Sequence, residues 1–239
     1  MTEFLATPSS GPDAPSGTPF LRITEIFHSI QGESTWLGVP CTFVRLTGCP
    51  LRCTWCDTAY AFHGGERMTL DEIVARVEEI GCPVVELTGG EPLAHRNAFL
   101  LAERLLAGGF TVLVETSGSE DISPLPEGVH VIMDLKCPAS GESSKNRWEN
   151  LLHLDAGDEI KFVVKDRGDY EWSRAAILEH SLDKRIREGT LRALLISPVW
   201  GDAGPDLEEL ARWILEDGLP VRMQTQLHKH IWGPLKKGV

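Results

Sequence analysis

From residue 20 onward, two apolar rhythms alternate along the chain. Short runs rich in β-branched residues read as strands at Leu21–Phe27, Thr42–Leu46, Val84–Leu87, Thr111–Glu115, Val129–Leu135, Ile160–Val164, Leu194–Ser197 and Val221–Gln224. Between several of them the apolar positions recur at helical spacing. After Met68, Leu70, Ile73, Val74, Val77 and Ile80 share one face, and Thr69 with Glu72 has capping-box spacing. After Pro205, a favoured residue near a helix start, Leu207, Leu210, Ala211, Ile214 and Leu215 do the same. Strand–helix–strand repetition predicts a largely parallel α/β sheet, and right-handed crossovers allow either an open doubly wound sheet or a curved partial barrel. No second core or internal repeat is visible, so residues 19–239 read as one domain. Nine of the twelve residues from Pro8 to Pro19 are Pro, Ser or Gly, which offers too little apolar area to order the segment. Residues 1–18 are therefore expected to form a mobile leader.

Polar residues collect where the apolar runs stop: Thr47-Gly48-Cys49, Thr88-Gly89-Gly90-Glu91-Pro92, Thr116-Ser117-Gly118, Asp134-Leu135-Lys136, Lys165-Asp166, Ser197-Pro198 and Gln226-Leu227-His228. All follow predicted strands. In parallel α/β architectures that edge carries the site, because loops converge there on a rigid support.

Charge narrows the choice of ligand. Thirty-five acidic against 23 basic residues give a formal charge of −12, which argues against gripping a nucleic acid or an anionic membrane and favours a small-molecule substrate. No apolar run approaches the roughly 18 to 20 residues of a spanning helix, and the N-terminus lacks a secretory pattern. A soluble, cytoplasmic protein is expected. In a reducing compartment its six cysteines point to metal or redox chemistry more than to disulfides.

Three of them form the strongest motif, Cys49-Pro-Leu-Arg-Cys53-Thr-Trp-Cys56. Soft thiolates at this spacing let one short loop wrap an iron–sulfur cluster or a zinc ion. A structural zinc site uses four protein ligands, and Cys41, Cys82 or a histidine would have to supply the fourth. A [4Fe–4S] cluster on three thiolates instead leaves one iron open to a small molecule. Cys41, Cys82 and Cys137 lie in or beside apolar stretches and read as core residues.

Cys49, Cys53 and Cys56, with Trp55 before the last cysteine, resemble the cluster loop of radical S-adenosylmethionine (SAM) enzymes, and Thr88-Gly89-Gly90-Glu91-Pro92 is similar to their glycine-rich loop. The resemblance implies a partial (β/α) barrel of mostly parallel strands. It also implies that SAM chelates the open iron and, on one-electron cleavage, yields a radical that abstracts hydrogen. By resemblance, Trp55 and Asp57 meet the adenine, Gly90 and Glu91 the methionine end, and Thr116, Ser117, Asp134, Leu135 and Lys136 flank ribose and carboxylate.

A narrower resemblance runs from Phe27 to His228. Phe27-His28-Ser29-Ile30-Gln31-Gly32-Glu33-Ser34, Phe43-Val44-Arg45-Leu46, Cys56-Asp57-Thr58 and Gln226-Leu227-His228-Lys229 are similar to the 7-carboxy-7-deazaguanine synthase family. Those lyases contract the ring of 6-carboxy-5,6,7,8-tetrahydropterin and release ammonia on the route to queuosine and other 7-deazapurines. They are usually homodimers, and take electrons from a reductant such as flavodoxin or ferredoxin. The resemblance implies substrate contacts from Ile30, Gln31, Gly32, Glu33, Arg45, Thr88, His228 and Pro234, and Mg2+ on Thr58. The chemistry agrees: Glu33 and Gln31 suit a pterin edge, Arg45 suits a carboxylate, and His228 suits proton transfer as a catalytic residue. Mg2+ needs few protein ligands when the substrate chelates it. The chain runs five residues past Pro234, which departs from members that bring a terminal carboxylate or nearby backbone to the pterin. A glycyl-radical activase is the alternative enzyme, needing no Gln31, Glu33 or Arg45; a zinc-binding interaction module is the non-enzymatic one.

Overall fold

The computed structural model describes residues 17–239, so almost all of the predicted leader lies outside the described residues. Nine strands form one sheet: β1 (Phe20–Ile30), β2 (Pro40–Leu46), β3 (Glu66–Thr69), β4 (Val84–Gly89), β5 (Thr111–Thr116), β6 (His130–Asp134), β7 (Glu159–Val164), β8 (Ala193–Pro198) and β9 (Arg222–Met223). Their order is β3-β1-β2-β4-β5-β6-β7-β8-β9. β1 is antiparallel to both its neighbours, and every pair from β2 to β9 is parallel. The sheet is open, with β3 and β9 at its edges, which is the partial-barrel arrangement.

Among the described residues six α-helices accompany it: α1 (Leu70–Ile80), α2 (Arg96–Ala107), α3 (Arg167–Glu179), α4 (Leu182–Glu188), α5 (Leu207–Asp217) and α6 (Leu227–Trp232). α1 starts as its sequence predicts. The Thr69 hydroxyl accepts from Glu72 N–H at 3.2 Å, and the Glu72 carboxylate accepts from Thr69 N–H at 2.7 Å. α5 departs from expectation in its face: Leu210, Trp213 and Ile214 are buried, whereas Leu207 is 45% and Leu215 80% exposed.

β3 is absent from the predicted set because Glu66-Arg67-Met68-Thr69 is short and polar. It forms by pairing with Phe20–Ile23, and the Arg67 guanidinium lies 3.8 Å from the centre of the Phe20 ring. β9 is shorter than predicted, which moves Gln226-Leu227-His228 from a strand end to the start of α6.

Alternation along the strands separates the core from the site. Val44, Leu46, Val85, Leu87, Val112, Val114, Val131 and Met133 join Ile73, Val77, Leu101 and Leu105 of the helices in one buried cluster. The other face carries a smaller apolar group, Cys41, Phe43, Val84, Leu113 and Ile132, and then turns polar with Arg45, Glu86, Thr88, Glu115, Asp134 and Lys161. The β1–β2 connection crosses to the far side of this inner face. Thr35 N–H donates to Glu159 of β7 at 2.9 Å, and Arg192 Nε donates to the Thr35 hydroxyl at 2.7 Å. Leu227 N–H of α6 donates to Gly32 O at 2.9 Å, so residues 31–35 form a floor under the sheet.

Candidate active site

Between that floor and the loops after the strands lies a cavity of about 240 Å³. Cys49, Cys53 and Cys56 line it, on the loop that follows β2. The loop starts at Gly48, whose φ of 101° favours glycine. It passes so close to the next strand that a Cβ on Gly90 would stand 2.1 Å from Gly48 O. Thr54 ties its middle to the segment after β6, its N–H to Ser140 O at 3.1 Å and its hydroxyl to Ala139 O at 3.0 Å. The three thiols are half-buried, and burial pushes Cys53 up to about 11 against the pull of Lys136.

This donor set fits an open cluster. Cys41, Cys82 and Cys137 are buried in the core and off the cavity wall, as expected, so none stands as a fourth ligand. Among the described residues, no three His, Cys, Asp or Glu side chains converge on a single-ion geometry.

Of the residues expected around SAM, Trp55, Asp57, Gly90, Thr116, Ser117, Asp134 and Lys136 line the cavity. Glu91 and Leu135 do not, and both are 0% exposed. Glu91 instead accepts from Ser117 N–H and Oγ at 2.7 and 2.6 Å, from Thr116 Oγ1 at 2.7 Å and from Leu93 N–H at 3.0 Å. It clasps two strand ends together, and burial lifts its carboxyl above the usual range against those donors. Lys136 Nζ lies 2.9 Å from Asp134 Oδ2, while Asp134 Oδ1 is buried without a partner.

Of the residues expected around the substrate, Ile30, Gln31, Gly32, Glu33, Arg45, Thr88 and His228 share this wall. Pro234 does not: it lines an adjoining cavity of about 150 Å³, and Val239 reaches the main one. Arg45 Nε donates to Glu25 at 2.7 Å, and its guanidinium lies 5.6 Å from the centre of the Phe27 ring. Its terminal nitrogens have no hydrogen-bond partner among the described residues. Phe27 and Phe43 stack at 4.9 Å and give the wall a flat aromatic stretch. His228 sits on α6, not on a strand, and packs against Gly32, where a Cβ would stand 2.1 Å from Nδ1. Burial holds its imidazole below the ordinary histidine value and thus neutral, against the pull of Glu33.

Lys161, in the middle of the apolar run of β7, escapes the sequence reading. Its side chain is 4% exposed, and Nζ donates to Glu33 at 2.9 Å and to Glu115, with Asp134 3.6 Å away. Burial works against its charge, but the carboxylates prevail and hold it well above the lysine range. Glu33 is the converse: burial would raise it, and Lys161 with the Gln226 amide pulls it down. Gln226 Nε2 donates to Glu33 at 2.8 Å, and Lys229 Nζ joins Gln226 Oε1 at 2.6 Å to Asp57 at 2.5 Å. A chain of polar contacts thus runs from the cluster loop to the floor. The signal available in sequence was a lone cation within an apolar strand, which in a sheet interior requires an anion.

Residues 43–139 match the family model of the Radical SAM superfamily. The 7-carboxy-7-deazaguanine synthase of Koribacter versatilis is 46% identical over 231 residues, covering 92% of this chain and 100% of that protein. The chain belongs to the 7-carboxy-7-deazaguanine synthase family of radical SAM enzymes. The synthase of Chlorobaculum tepidum is 44% identical, covering 92% of this chain and 97% of its own. The crystal structure of QueE from Escherichia coli shares the fold, with a TM-score of 0.70 at 24% identity over 86% of this chain and 94% of that one. Membership of the synthase family carries with it a [4Fe–4S] cluster, SAM and lyase chemistry in 7-deazapurine biosynthesis. It leaves no support for the activase or the zinc module.

Proposed function

We propose that the chain contracts the ring of 6-carboxy-5,6,7,8-tetrahydropterin to 7-carboxy-7-deazaguanine with release of ammonia. The observation that carries this is one cavity wall bearing both the three cluster thiols and the residues suited to a carboxylated pterin. Cys49, Cys53 and Cys56 would hold the cluster, with the SAM-facing residues on the ends of β4, β5 and β6. When bound, cluster and SAM supply the one-electron chemistry that starts the reaction. Glu33, kept ionised by Lys161, accepts from the pterin's amino group and ring N–H. The free fork of Arg45 takes the substrate carboxylate, with Thr88 beside it. His228, a neutral imidazole, moves protons at the floor side. The floor and α6 exclude water from the reacting ring.

Thr58 is the proposed Mg2+ ligand. It precedes a 3-10 turn without capping it, and its hydroxyl donates to Asp57 at 2.9 Å, which leaves the oxygen lone pairs for a metal. We assign the protein a homodimeric state, a flavodoxin- or ferredoxin-like reductant and a cytoplasmic setting. No helix among the described residues is long and apolar enough to cross a membrane.

The test is anaerobic incubation of the reconstituted protein with SAM, reductant, Mg2+ and carboxytetrahydropterin, with products identified by mass. Formation of 7-carboxy-7-deazaguanine is expected; recovery of unchanged pterin overturns the reading.

A further inference from the structure

Every acidic side chain on the cavity wall has a cation except one. Glu33 and Glu115 share Lys161, Asp134 has Lys136, and Asp57 has Lys229. Glu86 has no salt-bridge partner among the described residues. It stands mid-way along β4, 1% exposed, on the same face as Thr88 two residues on. Its register partners are apolar, Phe43 on β2 and Leu113 on β5. Oε2 accepts from Gln31 Nε2 at 2.5 Å, whereas Oε1 is buried without any partner. Buried polar atoms in folded proteins are nearly always hydrogen-bonded, so an orphan on a cavity wall marks a place where a ligand completes the set.

We propose that Glu86 is a specificity-determining residue of the substrate pocket, presenting Oε1–H as a hydrogen-bond donor to an acceptor atom on the ring edge of the bound substrate. The inference rests on the pterin reading above and deepens it. The charged and titratable groups facing Glu86 are Glu115 on β5, Lys161 on β7, Glu33 on the floor and Cys41 on β2. Burial, followed by Glu115, holds the Glu86 carboxyl protonated well above the usual range, and the opposing pull of Gln31 and Lys161 does not overcome it. Two carboxyl groups on one cavity wall thus have opposite character. Glu33 is ionised and accepts; Glu86 is neutral and donates. A flat heterocycle whose edge alternates donors and acceptors meets both needs, and a ring without the acceptor leaves the O–H unpaired.

The test compares wild type, E86Q and E86L, each reconstituted anaerobically with its cluster and with fold checked by iron–sulfur absorbance. Steady-state KM for carboxytetrahydropterin is measured alongside its equilibrium Kd in the presence of SAM. Glutamine keeps an acceptor and a donor without charge, so E86Q is expected within about threefold of wild type in both. Leucine removes both, so E86L is expected to raise KM and Kd by about ten- to a hundredfold. Equal damage in E86Q and E86L overturns the proposal, because charge would then be required. Wild-type affinity in E86L overturns it as well, because Glu86 would then make no contact. If E86L fails to load its cluster, the pH profiles of the other two decide. The wild-type KM rises on the alkaline side as Glu86 loses its proton, and the E86Q KM does not; parallel profiles contradict the assignment. A wild-type protein that converts pterin while the variants disobey refutes only the role of Glu86. One that neither binds nor converts pterin refutes the substrate and this inference together.

Discussion

Lys229 on α6 donates to Asp57, one residue past the last cysteine of the cluster loop, at 2.5 Å. The two lie 172 positions apart in sequence, and their contact ties the first turn of α6 to the cluster loop. Burial alone would raise Asp57, but Lys229 brings it down to about 2. A carboxylate depressed in the folded state adds stability above its unfolded value near 3.9, and that contribution fades as pH falls through the folded value. Acid titration of wild type between about pH 4 and 2 should therefore show a loss of stability that K229M lacks. Because the Asp57 side chain is 44% exposed, the stability difference should be small, and the larger effect of K229M should fall on SAM affinity.

Lys161 holds the floor to the sheet through Glu33 and Glu115. Replacing it with methionine leaves two carboxylates facing each other without a cation, the case in which removing one partner of a buried pair costs most. K161M should lose about 3 kcal/mol in urea unfolding. Its kcat/KM for pterin should fall about a hundredfold or more, because Glu33 loses its charge and its position. Stability and kinetics at wild-type level would show that the cation is dispensable.

Gly32 has no room for a side chain. In G32A the new Cβ drives against the His228 ring, and the overpacking should cost about 1 to 3 kcal/mol. Thermal unfolding checks this, and G32A/H228A, which removes the ring but leaves the His228 backbone nitrogen 2.9 Å from the new Cβ, should recover part of the lost stability. Absence of recovery would mean that the clash is not with His228.

The Mg2+ role proposed for Thr58 can be tested apart from cluster binding. T58A should keep its iron–sulfur absorbance while product formation loses its response to added Mg2+. A variant with the wild-type response would remove Thr58 as the ligand.

The parts of this design that the sequence displays are those whose pattern is local. The cysteine loop, the glycine-rich loop and the capping box of α1 are each set by residues within a few positions of one another, and the structure places them on the expected elements. Lys161 and Glu86 are hidden for the opposite reason. Each sits within an apolar strand run, and which face it takes becomes visible only when the sheet is assembled, since alternation puts Val85 and Leu87 against the helices and Glu86 inside. β3 is likewise specified by its partner β1 and not by its own composition. In sequence His228 reads as a strand-end residue, because the apolar positions around Val221 do not show that pairing with β8 stops at Met223. Glu91 has the polarity of a ligand contact, and only the surrounding donors from Thr116, Ser117 and Leu93 reveal it as an internal clasp.

The most direct test of a single cavity holding cosubstrate and pterin together is isotope transfer. Carboxytetrahydropterin deuterated on its saturated ring carbons is incubated with the reconstituted protein, SAM and reductant, and the 5′-deoxyadenosine formed is weighed by mass spectrometry. Deuterium in the 5′-deoxyadenosine is the predicted result. Unlabelled 5′-deoxyadenosine, formed at the same rate with or without pterin, would contradict it.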